Sequence, residues 1–211
     1  MINKEKYEST LHALYRRNEK FFGLSALIFF GSMFMGYFLS GLFSFFLEGL
    51  LRDFERNIAQ GKIKLNTLSL FTHNLRIILF LYGGGILLGS FTIIFLFING
   101  SFIGYFASRV PLGDLAILTI PHGIFEVLSI IIAGAGGFRL ASFVYNYFTE
   151  LISESWYGSL LGKMTHTFQN NSPELEESLI LLGISIVLLF IAAFIEANIT
   201  LPVAQYVMAN I

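Results

Sequence analysis

The chain has 211 residues, of which 55% are hydrophobic and 13% charged, with a formal net charge of −1 and no cysteine. This composition excludes an ordinary soluble domain and marks an integral membrane protein of one domain, while near-neutral charge without a long basic block excludes nucleic acid as a partner. The missing cysteines exclude disulfides, thiolate metal sites and cysteine nucleophiles together.

Residues 1–20 read as an N-terminal amphipathic arm on the bilayer surface, with Tyr7, Leu11, Leu14 and Tyr15 on one helical face and Arg16, Arg17 and Lys20 near the first span. That span covers residues 21–47, far longer than the apolar core of a cleavable signal, and is expected to stay as an anchor. Residues 48–70 form an interfacial segment. There Leu50, Leu51, Phe54 and Ile58 recur at helical spacing opposite Glu48, Arg52, Asp53, Glu55 and Arg56, up to a stop near Gly61.

Residues 71–211 hold the rest of the single membrane domain. No charge lies between Arg76 and Arg109, and one helix of that length would reach roughly 48 Å, beyond a hydrocarbon layer of roughly 30 Å. The chain must break, and Asn99-Gly100 is the expected place. A span from Ile77 to about Phe97 would then be followed by a re-entrant or kinked piece over 101–108.

Arg109, Pro111, Gly113 and Asp114 form a turn, and a further span runs from about Leu115 to Phe138, closed by Arg139. Residues 140–148 are expected to skim the membrane, and residues 150–178 to form a polar loop in which Glu174, Glu176 and Glu177 start a helix by opposing its dipole. Ser178 to Ile195 is the last span, with Glu196 at its end and a chargeless tail after it. The fold class is therefore all-α: a polytopic transmembrane helical bundle of about 4–5 spans with broken or re-entrant helices and interfacial amphipathic helices. Positive-inside counting favours a cytoplasmic N-terminus in a multi-pass cell-membrane protein, and the few Lys and Arg residues of 140–178 favour an external loop there.

Gly85 and Gly89, Gly100 and Gly104, and Ala133 and Gly137 are each four apart on one helix face, a spacing that permits close helix approach in lipid. The run Gly83-Gly84-Gly85 has no following Lys-Ser/Thr and is not a phosphate loop.

The segment Pro121-His122-Gly123-Ile124-Phe125-Glu126 lies in a strongly apolar region. A helix breaker, an imidazole and a carboxylate are each costly in lipid, so these residues must face protein or a cavity. His122 and Glu126 share a helix face and can bond to one another. Gly123 leaves room for a neighbouring backbone. A structural role as a satisfied helix break, a proton or solute pathway, and a catalytic or metal role all remain open. Metal binding would require His73, Asp114 or Glu196 to complete the set. No Ser or Thr stands beside a base in a strained turn, so nucleophilic catalysis has no support, and no cofactor motif is present. Thr72-His73-Asn74-Leu75-Arg76 stands at the mouth of the second span, where Asn74 is expected to cap the helix and His73 and Arg76 to anchor it or meet lipid phosphates. Asn99 is expected to bridge to a neighbour at the break, and Glu196, Asn198 and Thr200 form another polar island that could meet His122 and Glu126.

This ordered set, His73-Asn74-Leu75-Arg76, the glycine-rich second span, Asn99-Gly100 with Gly104, Pro121-His122-Gly123-Ile124-Phe125-Glu126, Ala133-Gly134, and Ile195-Glu196-Ala197 with Thr200 and Pro202, resembles the stage II sporulation protein M family. The likeness covers roughly residues 70 to 205, with Asn198 and Ile199 departing from the family pattern. It implies a helical membrane protein whose sporulation members work with peptidoglycan-degrading proteins as a membrane anchor or scaffold, and whose relatives also occur outside spore formers. The expected function is a non-enzymatic integral membrane scaffold that contacts the lipid bilayer and other membrane or envelope proteins, with self-association left open. The alternative is a transporter or channel for a small solute, proton or lipid using the His/Glu centre. An intramembrane hydrolase is a more distant reading.

Overall fold

In lipid a backbone amide has no water to bond, so an apolar chain of this kind resolves into helices. The computed structural model describes residues 4–62, 64, 66–153, 155–200, 202, 203 and 206, with the side chains of 4–10, 54, 58, 112, 114 and 116–118 outside that description. The faces assigned to Tyr7, Phe54 and Ile58, the side chain of Asp114 and most of the tail after Thr200 thus lie outside the described residues. Among the described residues there is no strand. The helices are α1 (Lys4–Phe38), α2 (Ser40–Ala59), α3 (Thr67–Gly83), α4 (Ser90–Ala107), α5 (Leu112–Ser153) and α6 (Leu160–Ile195). A 3₁₀ turn (Gly84–Leu87) joins α3 to α4, and a π-helical turn (Glu196–Thr200) follows α6.

Five segments are long and apolar enough to cross a membrane: Leu11–Phe38, Thr67–Leu87, Ser90–Ala107, Thr119–Ser153 and Leu160–Thr200. The amphipathic arm is continuous with the first span, and the span ends at Phe38 instead of Leu47. Leu39 makes the corner: its N–H donates to the Met35 carbonyl while its own carbonyl accepts from Leu42. Helix α2 then folds against α4, placing Phe43 6.1 Å from Phe97 between ring centroids. Its Glu48–Arg52 and Asp53–Arg56 pairs stay exposed, as an interfacial helix requires.

Asn99-Gly100 is not the break. It lies inside α4, and the chain turns between Gly83 and Ser90. Leu88 and Gly89 adopt φ of 54° and 80°, a left-handed corner that ends α3 and starts α4. The Thr92 hydroxyl donates to the Leu81 carbonyl at 2.8 Å, covering an acceptor left by the ending helix. Asn99 spends its amide on its own helix, donating to the Phe95 carbonyl at 2.7 Å. Nor does Asn74 cap α3. Asn66 does, accepting from the Ser69 N–H at 3.0 Å, while the Ser69 hydroxyl accepts from the Lys64 N–H at 3.0 Å.

Helix α5 runs through Pro121 and past Arg139 for 42 residues, about 63 Å. The segment 150–178 is mostly helix as well. Ser159 caps α6 by accepting from the Gly162 N–H at 3.1 Å, so α6 begins well before the acidic residues proposed as its start. Polar side chains of 146–177 face one another across the α5–α6 seam, which removes their need for a watery loop.

The core is formed by Phe29, Ile78, Leu81, Leu96, Ile130, Ala133, Phe138 and Leu189, contributed by α1, α3, α4, α5 and α6. Small residues decide how closely these helices approach. A Cβ on Gly100 would strike Ser32 and the Phe29 carbonyl, and one on Gly104 would strike the Met33 carbonyl. Gly85 sits on the Gly137 carbonyl, and a Cβ on Gly137 would lie 2.7 Å from the Leu81 carbonyl oxygen. Gly89 faces the Phe138 ring. These contacts make α1 parallel to α4, and α3 parallel to α5. They also place the start of α1 beside α5 and α6, since Leu14 packs with Ala135 and Leu181. The N-terminal end and the α5–α6 connection therefore share one side of the bundle and cannot be divided between cytoplasm and exterior.

Gly85→Leu should force two backbones apart and lower stability by about 3 kcal/mol or more. Gly183→Ala, where an added Cβ meets nothing within 4 Å, should leave it unchanged or slightly raised. Thermal denaturation of both variants in one detergent checks the contrast; equal melting temperatures would contradict this packing.

Candidate functional site

Three elements bring polar side chains together at the end of the bundle where α3 and α5 begin. Asn74 of α3 donates through Nδ2 to Glu126 Oε1 on α5 at 3.1 Å. His122, 8% exposed, places Nδ1 3.3 Å from the hydroxyl of Thr200 in the π turn. Glu196 opens that turn. Asn198 ties the same turn to α3, donating to Thr67 Oγ1 at 3.1 Å. His122 and Glu126 share a face of α5, but each bonds to a different neighbouring element.

The other proposed residues are placed as follows. Pro121 is on the exposed side of α5. Gly123 is buried, yet among the described residues an added Cβ would meet the Thr119 methyl at 3.2 Å and no neighbouring backbone. His73 lies within the electrostatic reach of Arg76, and Arg76 itself is exposed. Asn99 and Gly100 belong to the α1–α4 packing and are not part of this centre. Among the described residues no three of His, Asp and Glu converge in a way that could hold a metal ion.

A second polar centre, unrecognised in the sequence, lies 13 residues further along α5, about 20 Å away. Arg139, 14% exposed, reaches Glu177 at 3.0 Å and Glu174 at 3.5 Å. Glu177 also accepts from Asn18 Nδ2 at 2.9 Å and from Arg17 of α1. Asn146 donates to Glu174 at 3.0 Å, and Asn170 and Asn171 both donate to Glu150. Tyr82 and Ser178 meet at 3.0 Å beside them. Its signal was a spacing: Asn171, Glu174 and Ser178 recur every three or four residues, as do Arg139, Ser142 and Asn146.

Crossing helices, tight glycine contacts and two interior polar centres define a polytopic helical membrane protein. The model of the family described as Stage II sporulation protein M matches residues 25–201. The chain belongs to that family. It is similar to two uncharacterized proteins of Methanocaldococcus jannaschii. The first is 32% identical over 151 residues, covering 69% of this chain and 77% of the relative. The second is 24% identical over 160 residues, covering 73% and 67%. No solved structure matches the chain.

Removing Arg139 would leave Glu174 and Glu177 short of their shared partner inside the bundle. Arg139→Ala should therefore cost about 3–5 kcal/mol. Arg17 is 55% exposed, so its pair is screened and Arg17→Ala should cost under about 1 kcal/mol. Melting curves of the two variants test the ranking, which an equal loss would reverse.

Proposed function

We propose that the protein is a membrane-embedded scaffold of the cell membrane that organises envelope-associated proteins and carries out no chemistry of its own. The observation behind this reading is the use made of interior polar groups: they join one helix to another. Ser25 donates to the Ile131 carbonyl at 2.8 Å, joining α1 to α5. The hydroxyls of Ser129 and Ser185 each donate to the other residue's carbonyl, at 2.9 and 3.0 Å, and so join α5 to α6. Thr92 joins α4 to α3, and Arg17 and Asn18 join α1 to α6. Such ties hold a bundle in one arrangement, which is what an anchor for other proteins needs.

The hydroxyl of Thr200 that touches the buried imidazole is itself 1% exposed. The apolar grooves at Leu42–Phe97 and Ile86–Ile152 lie elsewhere. A surface for partners is available beyond Arg139, where α5 extends 14 residues, about 21 Å. Tyr145, Phe148 and Ile152 recur there at three- and four-residue steps and are all more than half exposed. With the N-terminus in the cytoplasm, this end of the hairpin is cytoplasmic too.

A photo-crosslinking residue at Phe148 in the native membrane should capture an envelope-associated protein, whereas one at Leu27, on the outer face of α1, should capture lipid. Ile152→Glu should reduce the protein adduct at least about tenfold, the loss of a central apolar anchor of about 1.4 kcal/mol or more. Adducts that contain lipid alone at both positions would count against the scaffold reading.

A further inference from the structure

Helix α3 begins at Thr67, nine residues before Arg76, so this guanidinium stands inside the span and not at its mouth. Arg76 lies about 14 Å from one end of the Thr67–Leu87 segment and about 16 Å from the other. The neighbouring helices set the same depth. Phe71 meets Phe190 of α6 and Phe80 meets Phe95 of α4, each pair 5.5 Å apart between ring centroids, and Arg76 falls between these two levels. Helix α4 contains no charged residue, and α6 contains none from Ser178 to Ile195. Arg76 is nonetheless exposed on the outer face of the bundle, at a depth where a lone guanidinium is costly.

That face of α3 is polar above Arg76. Ser69, Thr72 and Arg76 recur at i, i+3 and i+7, which places them in one stripe, and His73 flanks it. Thr72 is exposed, and its hydroxyl donates to the Leu68 carbonyl at 2.7 Å. At the head of the stripe the Lys64 N–H donates to the Ser69 hydroxyl at 3.0 Å, which holds the connecting chain over this face. Lys62 and Lys64 are both exposed there. Side chains on a helix lean toward its N-terminus, so Arg76 leans up the stripe toward these lysines. The result is a polar track that runs from the membrane surface into the apolar belt and ends on a guanidinium.

The group that faces Arg76 must be anionic. Among the described residues the ion pairs use Arg17, Arg52, Arg56 and Arg139, and no carboxylate pairs with Arg76. A second copy of the chain has no exposed carboxylate to offer at this depth. Among the described side chains the exposed ones are Glu19 and Glu176, toward the Arg139 end, and Asp53 and Glu55, on the interfacial helix α2. A symmetric contact centred on this face would also bring two Arg76 side chains toward one another. Lipid supplies the missing charge. We infer that Arg76 binds the phosphodiester of a membrane lipid, drawing its headgroup below the bilayer surface beside α3, with Lys62 and Lys64 at the point of entry. The planar guanidinium fork matches two phosphate oxygens, whereas the lysines act as point charges that gather anionic headgroups. The leaflet beside α3 is thinned where the headgroup descends, which relieves the cost of the buried arginine. This inference rests on α3 and its connecting chain, and holds independently of the scaffold reading.

Native mass spectrometry of the full chain in a neutral detergent tests this. The probes are dioleoyl phosphatidylglycerol and dioleoylglycerol, which has the same acyl chains and no phosphate. The wild type should hold the phospholipid at least about tenfold more tightly than dioleoylglycerol, and R76Q should lose that preference. R76K keeps the charge without the fork and should fall between them, while R16Q, toward the opposite end of the bundle, should stay within about twofold of wild type. An excess of glycerol phosphate should leave the bound lipid in place, because it lacks the acyl chains that lie against α3. The proposal is overturned if R76Q holds the phospholipid as the wild type does, or if the two lipids bind the wild type alike. It is also overturned if glycerol phosphate displaces the lipid, which would assign the site to a free anion. Conversion of a dimer to a monomer by R76Q in lipid-free detergent would overturn it as well, by assigning the guanidinium to a protein carboxylate. R76Q should melt within about 3 °C of wild type in lipid-free detergent. If it does not fold, the wild-type comparison of the two lipids and the displacement by glycerol phosphate still decide.

Discussion

Five consecutive small residues, Ala133 to Gly137, set the spacing of the whole bundle. All five are buried, and the other four crossing helices meet α5 along them. Gly134 faces Ser25 of α1 and Leu96 of α4, Gly136 faces Leu181 of α6 and Tyr82 of α3, and Gly137 faces Leu81 and Thr92. In lipid, burying apolar surface gives little drive for helices to associate, because the solvent is as apolar as the side chains. Close backbone approach and hydrogen bonds must supply the attraction instead. The hydroxyl ties of Ser25 and Thr92 lie within a turn of this strip because the chains there are near enough for a short side chain to span the gap.

Either side of that strip the bundle treats charge differently. Toward the α5–α6 connection carboxylates and arginines alternate in space, and amides fill the remaining positions. Toward the start of α5, Glu126 meets the amide of Asn74. The first arrangement gives up conformational freedom for a fixed register, since any sliding of α1 along α6 would strand Arg17 and Asn18.

Much of this was legible in the residues. The apolar runs, the close-contact glycines and the oddity of His122, Glu126 and Glu196 are all local patterns, and local patterns survive in one dimension. The α3–α4 corner was not. Asn-Gly is an ordinary turn signal, whereas the actual corner at Leu88 and Gly89 relies on Thr92 to cover the Leu81 carbonyl, a contact that exists only once the turn has formed. Residues 150–178 read as a loop because polar side chains ordinarily seek water, and here several find partners across a helix seam. Asn74 was assigned to a cap because its partner, Glu126, is 52 residues away, and Arg17 with Glu177 is separated by 160.

Those separations also bear on how the molecule is made. Helix α1 enters the membrane before α5 and α6, carrying Asn18, Ser25 and Ser32 on the side that ends buried. The carbonyl that Ser25 bonds is 106 residues downstream and the carboxylate that Asn18 bonds is 159. At synthesis rates of about 5–20 residues per second, α1 waits on the order of 10 s before its last partner emerges. During that interval its polar stripe has only lipid, the insertion machinery or another protein to face. Completion of the bundle is thus tied to the arrival of α6, and a chain arrested before residue 177 would leave the first helix in the bilayer without the carboxylate that Arg17 and Asn18 bond.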